Sequence, residues 1–401
     1  KYSNGDLDDA AYGLSDFDLQ VTVPEDLKLF TDLTEVSAGA SNQKATYQLL
    51  GKARNNFSFY LEPKPEFYSY KNNDLEIVTD INDNKLNDIQ KAVIIDQIAD
   101  YVHEELGKYP QAKMTLLMVD YNRNPFYGLN QLPSFISVFK DDFMFELKFL
   151  KTYLNTYLQN SLHLDPRKEH WIYDGIQSYL MMQYVEQFHP DMKMMGGLYK
   201  YRWLRGFNLV STGFNEQYNY FYLLMARKNL DQAPGESREQ LIRFNEKIAT
   251  KYQAGLALKY LDSYLENNKV NQALQTFVSE NVNRNTSRTD FEQALKQQTN
   301  QNIDWFFKHC IDSRKPIDFT LEKVTKTKDS VTFTVHNKTG VQLPIPVFGL
   351  KKKEIIFKQW LNAFSQDTTL TLPRSTYDKL ALNHLNEVPE YNRRNNYKTL
   401  R

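Results

Sequence analysis

The hydrophobic period of this sequence changes twice along its length, from two to about 3.6 and back to two, and that succession restricts the fold more than any other feature. Phe17, Leu19, Val21 and Val23 alternate with Asp18, Gln20 and Thr22 until Pro24 stops the run, as in a half-buried strand. Residues 57–61 read as a second strand, so 1–72 is expected to be the end of an N-terminal β-domain. Beyond Tyr70, Ile95, Ala99, Val102 and Leu106 fall at helical spacing, and Gly107 with Pro110 closes that helix. Strands are expected at 114–119 and 134–139, on either side of a break at Gly128 and Pro133. Helical patterns then run over 143–162, 172–188, 253–266, 270–280, 290–297 and 303–307. Strands followed by many helices predict an α+β domain with a helical lobe over 73–315. From Asp318 the short alternating runs return, with Phe319, Leu321, Val331, Phe333 and Val335 at their head, and predict a β-sandwich over 316–385. Residues 386–401, polar and aperiodic, read as a linker or tail.

Composition narrows the class. A chain of 401 residues with 41% hydrophobic and 24% charged side chains is long enough for two or three domains with real cores. Lys plus Arg equal Asp plus Glu at 49 each, which argues against nucleic acid as the partner, since phosphate binding wants a basic surplus. Cys310 is alone, so no intrachain disulfide forms. No stretch approaches the roughly 18 apolar residues of a membrane helix. The chain starts at Lys1 without a charged and then apolar leader pattern. It is read either as starting at a cleavage or cloning boundary, or as continuing a β-domain whose earlier strands lie upstream.

One helix pair carries the functional argument: Lys151-Thr152-Tyr153-Leu154-Asn155 through Asn160, then Trp171-Ile172-Tyr173-Asp174-Gly175 through Tyr179. The second half resembles the W-L-N-E-G-x-x-x-Y helix of the gluzincin zinc aminopeptidases, the membrane alanyl aminopeptidase family. In that register Lys151 to Asn155 lie on H-E-x-x-H, Asp174 on the third zinc ligand, and Asn160 on the Asn of W-F-G-N. Upstream, Gly128-Leu129-Asn130-Gln131-Leu132 lies on G-x-M-E-N, whose Glu holds a substrate amino terminus. Downstream, Tyr252-Gln253-Ala254-Gly255 lies on Y-E-K-G, whose Tyr stabilises the tetrahedral intermediate. The resemblance runs from about residue 10 to 375. It implies a thermolysin-like (zincin) domain with a helical lobe, flanked by an N-terminal β-domain remnant and a C-terminal β-sandwich.

The chemistry departs from the pattern. Catalytic zinc wants imidazole and carboxylate donors and an open position for water. Here the two His positions hold Lys151 and Asn155, and Thr152 stands where a general base is needed. Gln131 lacks the charge to pair with a peptide ammonium; only Asp174 and Tyr252 keep their chemistry. Two readings of the first pair are open: Lys151 supplies the charge of the lost metal to Asp174, or both stand solvated in an open cleft. The expectation is a non-enzyme without zinc or other cofactor, binding or scaffolding in the bacterial periplasm or at the outer-membrane surface. A protein partner is expected, with a peptide or glycan in the old cleft, no nucleic acid, and continuation after Arg401 into an outer-membrane barrel as a possibility. An active zinc peptidase with unorthodox ligands is the alternative, and His163, His170 and Asp174 are its candidate ligands. Otherwise both loop histidines are expected at the surface, His103 on a solvent-facing helix side, and Cys310 as a packed, inert thiol beside Trp305-Phe306-Phe307.

Overall fold

The computed structural model describes residues 13–54, 57–63, 66–72, 75–129, 138–202, 208–352, 354–374 and 376–400. The architecture is a mixed α+β one with several sheets, and the chain falls into two units that exchange segments. The first holds Lys1–Tyr173, Leu180–Phe214 and Asn271–Leu295; the second holds Asp174–Tyr179, Asn215–Val270 and Lys296–Arg401.

In the first unit, β1 (Ser15–Pro24) begins where alternation predicts it. β2 (Lys28–Thr31), β3 (Thr34–Ser41), β4 (Lys44–Arg54) and β5 (Phe59–Glu62) follow, forming an antiparallel β1-β4-β3 sheet and a β2-β5 pair. The β3–β4 hairpin turns on Asn42 and Gln43, both at positive φ (54° and 62°), which suits a two-residue turn twisted like its strands. A third sheet, β6 (Tyr68–Lys71), β7 (Glu76–Thr79) and β8 (Lys113–Leu116), pairs β7 and β8 in parallel, so the chain must cross over between them. That crossover is α1 (Asp88–Leu106). Its N-terminus is closed by a reciprocal Asn87/Gln90 capping box, and its end by Gly107 at φ 89°, a conformation that favours glycine. Burial of Ile95, Ile98, Val102 and Leu106, at about 1.5–3 kcal/mol per side chain, outweighs either cap.

The strand expected over 114–119 is cut short. β8 ends at Leu116 and α2 (Met118–Arg123) begins, because Asp80 Oδ1 accepts from Met118 N at 2.6 Å and fills the helix N-terminus. The strand expected over 134–139 lies mostly outside the described residues; Val138 and Phe139 are not in a strand. α3 (Asp141–Ser161) packs on α1 and β8. α4 (His170–Phe188) is buried on nearly every side, as its lack of a polar face requires, and contributes residues 174–179 to the second unit. Tyr173 ties the α3–α4 turn, donating to Leu162 O at 2.5 Å and accepting from Leu164 N at 3.1 Å. The short α5 (Asn208–Ser211) ends this stretch of the unit.

The second unit contains α6 (Glu216–Ala226) and α7 (Thr250–Leu265), the latter entered through a π-helical turn at Asn245–Ala249. α8 (Lys269–Asn281) and α9 (Arg288–Gln297) belong mostly to the first unit, where Trp171 meets Phe291 edge-on at 5.7 Å. The helix expected over 303–307 continues as a second π-helical turn, Phe306–Ile311. Then come β9 (Phe319–Lys326), β10 (Ser330–Asn337), β11 (Leu343–Lys351), β12 (Glu354–Phe364), β13 (Thr368–Pro373), β14 (Lys379–Leu382) and β15 (Tyr397–Thr399). They form two antiparallel sheets, β13-β10-β9 and β12-β11-β14-β15, with Phe319 against Phe364 at 5.5 Å joining them.

Residues 386–401 are not a free linker. β15 pairs with β14, and Glu390, fully buried, accepts from Phe319 N (3.2 Å), Asn383 Nδ2 (2.8 Å) and Asn396 Nδ2 (2.7 Å). Polar side chains and a three-residue strand fasten this segment, so apolar periodicity carries no trace of it.

Candidate functional site

On α3, the two positions that the resemblance aligns with the first imidazole and the general base are buried: Lys151 is 8% exposed and Thr152 3%. Thr152 Oγ1 donates back to Lys148 O at 2.9 Å, so its own helix engages the hydroxyl. Asn155 Oδ1 accepts from Gln159 Nε2 at 3.4 Å, and Asn160 Nδ2 donates to Tyr109 Oη at 2.6 Å. Gln131 lies outside the described residues.

In the second unit, the start of α4 and the start of α7 meet at close range. Asp174 Oδ1 lies 2.8 Å from Lys251 Nζ, with the two side chains 15% and 12% exposed. The reading of Lys151 and Asp174 as solvated groups is therefore overturned: both are largely removed from water. One turn on from this pair, Ser178 packs against Gly255. A Cβ built on Gly255 would sit 2.4 Å from Ser178 Cβ, and one on Gly175 would sit 3.2 Å from Ala254 Cβ. The two glycines of the resemblance thus have a packing reason to be there. Their absent side chains let the helices approach, and that approach brings the Lys251 ammonium to the carboxylate.

Tyr252, beside Lys251, is 6% exposed, with its ring 4.5 Å from Tyr218 and 6.3 Å from Phe221. The aromatic run 218–222 is therefore partly core: Tyr218 and Tyr222 are buried, burial drives the Tyr222 phenol well up, and Tyr220 remains 48% exposed. Sequence reasoning missed Lys251. The signal was its place one residue before Tyr252 and four before Gly255, which puts it on the helix face that must meet α4.

Replacing Lys251 by Met is expected to cost about 2 kcal/mol of stability, because a largely buried carboxylate loses a cation 2.8 Å away. A double-mutant cycle with Asp174→Asn, read by urea denaturation, checks this. Additive losses would mean that the pair contributes no coupling.

The other candidates fare differently. His163 and His170 are 8% and 7% exposed, not surface groups. The His163 main chain is held by Thr286, whose amide donates to His163 O at 3.2 Å, and burial lowers the imidazole's basicity. His103 is exposed on α1. Cys310 is buried and its thiol is pushed far up, as expected of an inert group.

At the positions that the sequence resemblance assigns to a metal, the donors do not suit zinc. An ammonium and an amide stand at two of them, and the carboxylate at the third is engaged by Lys251. Among the described residues no group of three or more His, Cys, Asp or Glu is arranged to hold a metal, so His163, His170 and Asp174 form no such set. No described helix is long and apolar enough to cross a membrane.

No protein-family model and no curated protein sequence matches this chain. Its fold is similar to the crystal structure of Legionella pneumophila aminopeptidase A in complex with aspartic acid. The TM-score is 0.66 at 13% identity, over 94% of this chain and 44% of that one. The chain thus spans less than half the length of that protein, and the similarity concerns a peptidase-like architecture. It also corrects the expectation of a non-enzyme: a solved structure with this fold is an aminopeptidase.

Proposed function

We propose that this chain is a peptidase-like module of gluzincin aminopeptidase descent, on a thermolysin-like frame, that engages the free amino terminus of a peptide or protein partner at Asp174. The likeness to an aminopeptidase over 94% of the chain carries the reading. The Asp174–Lys251 contact of 2.8 Å supports it, because an amine already occupies that carboxylate. A peptide ammonium offers the same charge and the same three donors as the Lys251 ammonium, and can exchange with it. Tyr252, next in sequence to Lys251, offers a hydroxyl to the first peptide carbonyl. The bacterial envelope is the compartment proposed for this role, on the strength of the sequence resemblance.

Calorimetric titration with matched peptides, one with a free and one with an acetylated amino terminus, tests the proposal. The free peptide is expected to bind at least tenfold tighter, and Lys251→Met to strengthen it further by removing the internal competitor. Equal binding of the two peptides, or unchanged binding by Asp174→Asn, would overturn it. The same peptides, assayed for cleavage with and without added zinc, show whether engagement leads to hydrolysis.

A further inference from the structure

The first unit holds a cavity of about 450 Å³, its open mouth included, between the end of α1, the turn at Gly107–Tyr109 and one side of α3. Tyr109, Tyr153 and Tyr157 form its wall, and Asp100, His103 and Lys108 line it as well.

The three phenols are not equivalent. Tyr157 Oη spends its proton on Gly107 O, at 2.8 Å. Tyr109 Oη accepts from Asn160 Nδ2 at 2.6 Å, which leaves its own O–H to donate elsewhere. Tyr153, 3% exposed as a whole residue, lines the open cavity, and among the described residues its hydroxyl makes no hydrogen bond to the protein. Burial holds both the Tyr109 and Tyr153 phenols far above their ordinary range, with the nearby Asp100 charge adding to it at Tyr153, so both stay protonated donors. A ligand oxygen in the cavity can take the place of water on these hydroxyls. Charges of both signs line it, Asp100 on α1 and Lys108 just beyond the helix end, with His103 one turn from Asp100, all three exposed.

We propose that this cavity binds an amino-acid-sized zwitterion, its carboxylate on the Tyr153 and Tyr109 hydroxyls within reach of Lys108, and its ammonium toward Asp100. The phenol donors select an acceptor oxygen, the aromatic wall takes a small apolar side chain, and the mixed charges select against ligands carrying one sign only. The proposal rests on the first unit alone and stands independently of the peptide reading.

Titration with L-leucine tests it, alongside isovalerate, which lacks the amine, and isopentylamine, which lacks the carboxylate. Leucine is expected to bind saturably and at least tenfold tighter than either analogue. Tyr153→Phe, which keeps the ring and removes only the unpartnered hydroxyl, is expected to weaken leucine at least tenfold with no loss of thermal stability. Asp100→Asn is expected to abolish the preference for leucine over isovalerate. Leucine held at Asp174 would instead be strengthened by Lys251→Met and unaffected by Tyr153→Phe, which separates the two sites. Absence of saturable leucine binding, or full affinity in Tyr153→Phe, would overturn the proposal.

Discussion

Gly255→Val is expected to lower the unfolding free energy by about 3 kcal/mol, at the upper end of what overpacking a close-packed site costs. In an open helix the opposite sign would hold, since glycine costs about 1 kcal/mol relative to alanine in a helix interior. At Gly255 an added Cβ would sit 2.4 Å from Ser178 Cβ and 3.2 Å from both Ser178 C and Tyr179 N. Two of those atoms are backbone, so a rotamer change cannot clear them, and the helices must separate. Gly255→Ala is expected to lose about 1 kcal/mol, the clash outweighing the gain in helix propensity. Gly213, with nothing within 4 Å of an added Cβ, is the control and is expected to tolerate alanine. Urea denaturation followed by circular dichroism decides the matter; a Gly255→Val variant as stable as the parent would refute the close α4–α7 approach. The same variant is expected to weaken the Asp174–Lys251 pair, which depends on that approach.

Glu390 is expected to make stability depend on pH in the direction opposite to most carboxylates. Burial pushes its carboxyl up to about 7 from an ordinary 4.5, although the Asn383, Asn396 and Phe319 N–H groups pull it down. With the folded value above the unfolded one, the folded chain holds the extra proton between those two values. The contribution to stability is therefore full below pH 4.5, falls as pH rises toward 7, and is lost above it. The roughly 2.5 units correspond to about 3 kcal/mol. Glu390→Gln resembles the protonated acid at every pH. The stability of the parent relative to this variant is expected to fall by about 3 kcal/mol from pH 4 to pH 8, while the variant alone lacks this slope. A parent-minus-variant difference that stays flat over that range would sink the prediction. Taking the difference also cancels other titrating groups, such as His163, whose lowered basicity acts in the opposite sense.

Much of the fold was legible because periodicity reports burial. The alternation at 17–23 became β1, and the helical spacing of Ile95, Ala99, Val102 and Leu106 became the buried face of α1. The failures share a cause. The 114–119 run is apolar apart from Thr115, but a side chain from 34 positions upstream of its start, Asp80, turns its second half into a helix. The segment 386–401 is held by a buried carboxylate and amide side chains, which look like surface residues in a sequence.

At the site, the sequence by itself determined which chemistry is present. Lys151, Thr152 and Asn155 exclude a His-based zinc set there, and Asp174 and Tyr252 retain a carboxylate and a phenol. The tertiary structure decided what Asp174 does, by bringing Lys251 to 2.8 Å from it across a helix contact that two glycines permit. It also decided that Tyr153, between Thr152 and Leu154 on α3, lines a cavity beside Tyr109 and Tyr157. Residue identity fixes the donors and charges a chain owns. Which of them meet is set by packing between segments far apart in sequence, and no local pattern encodes that.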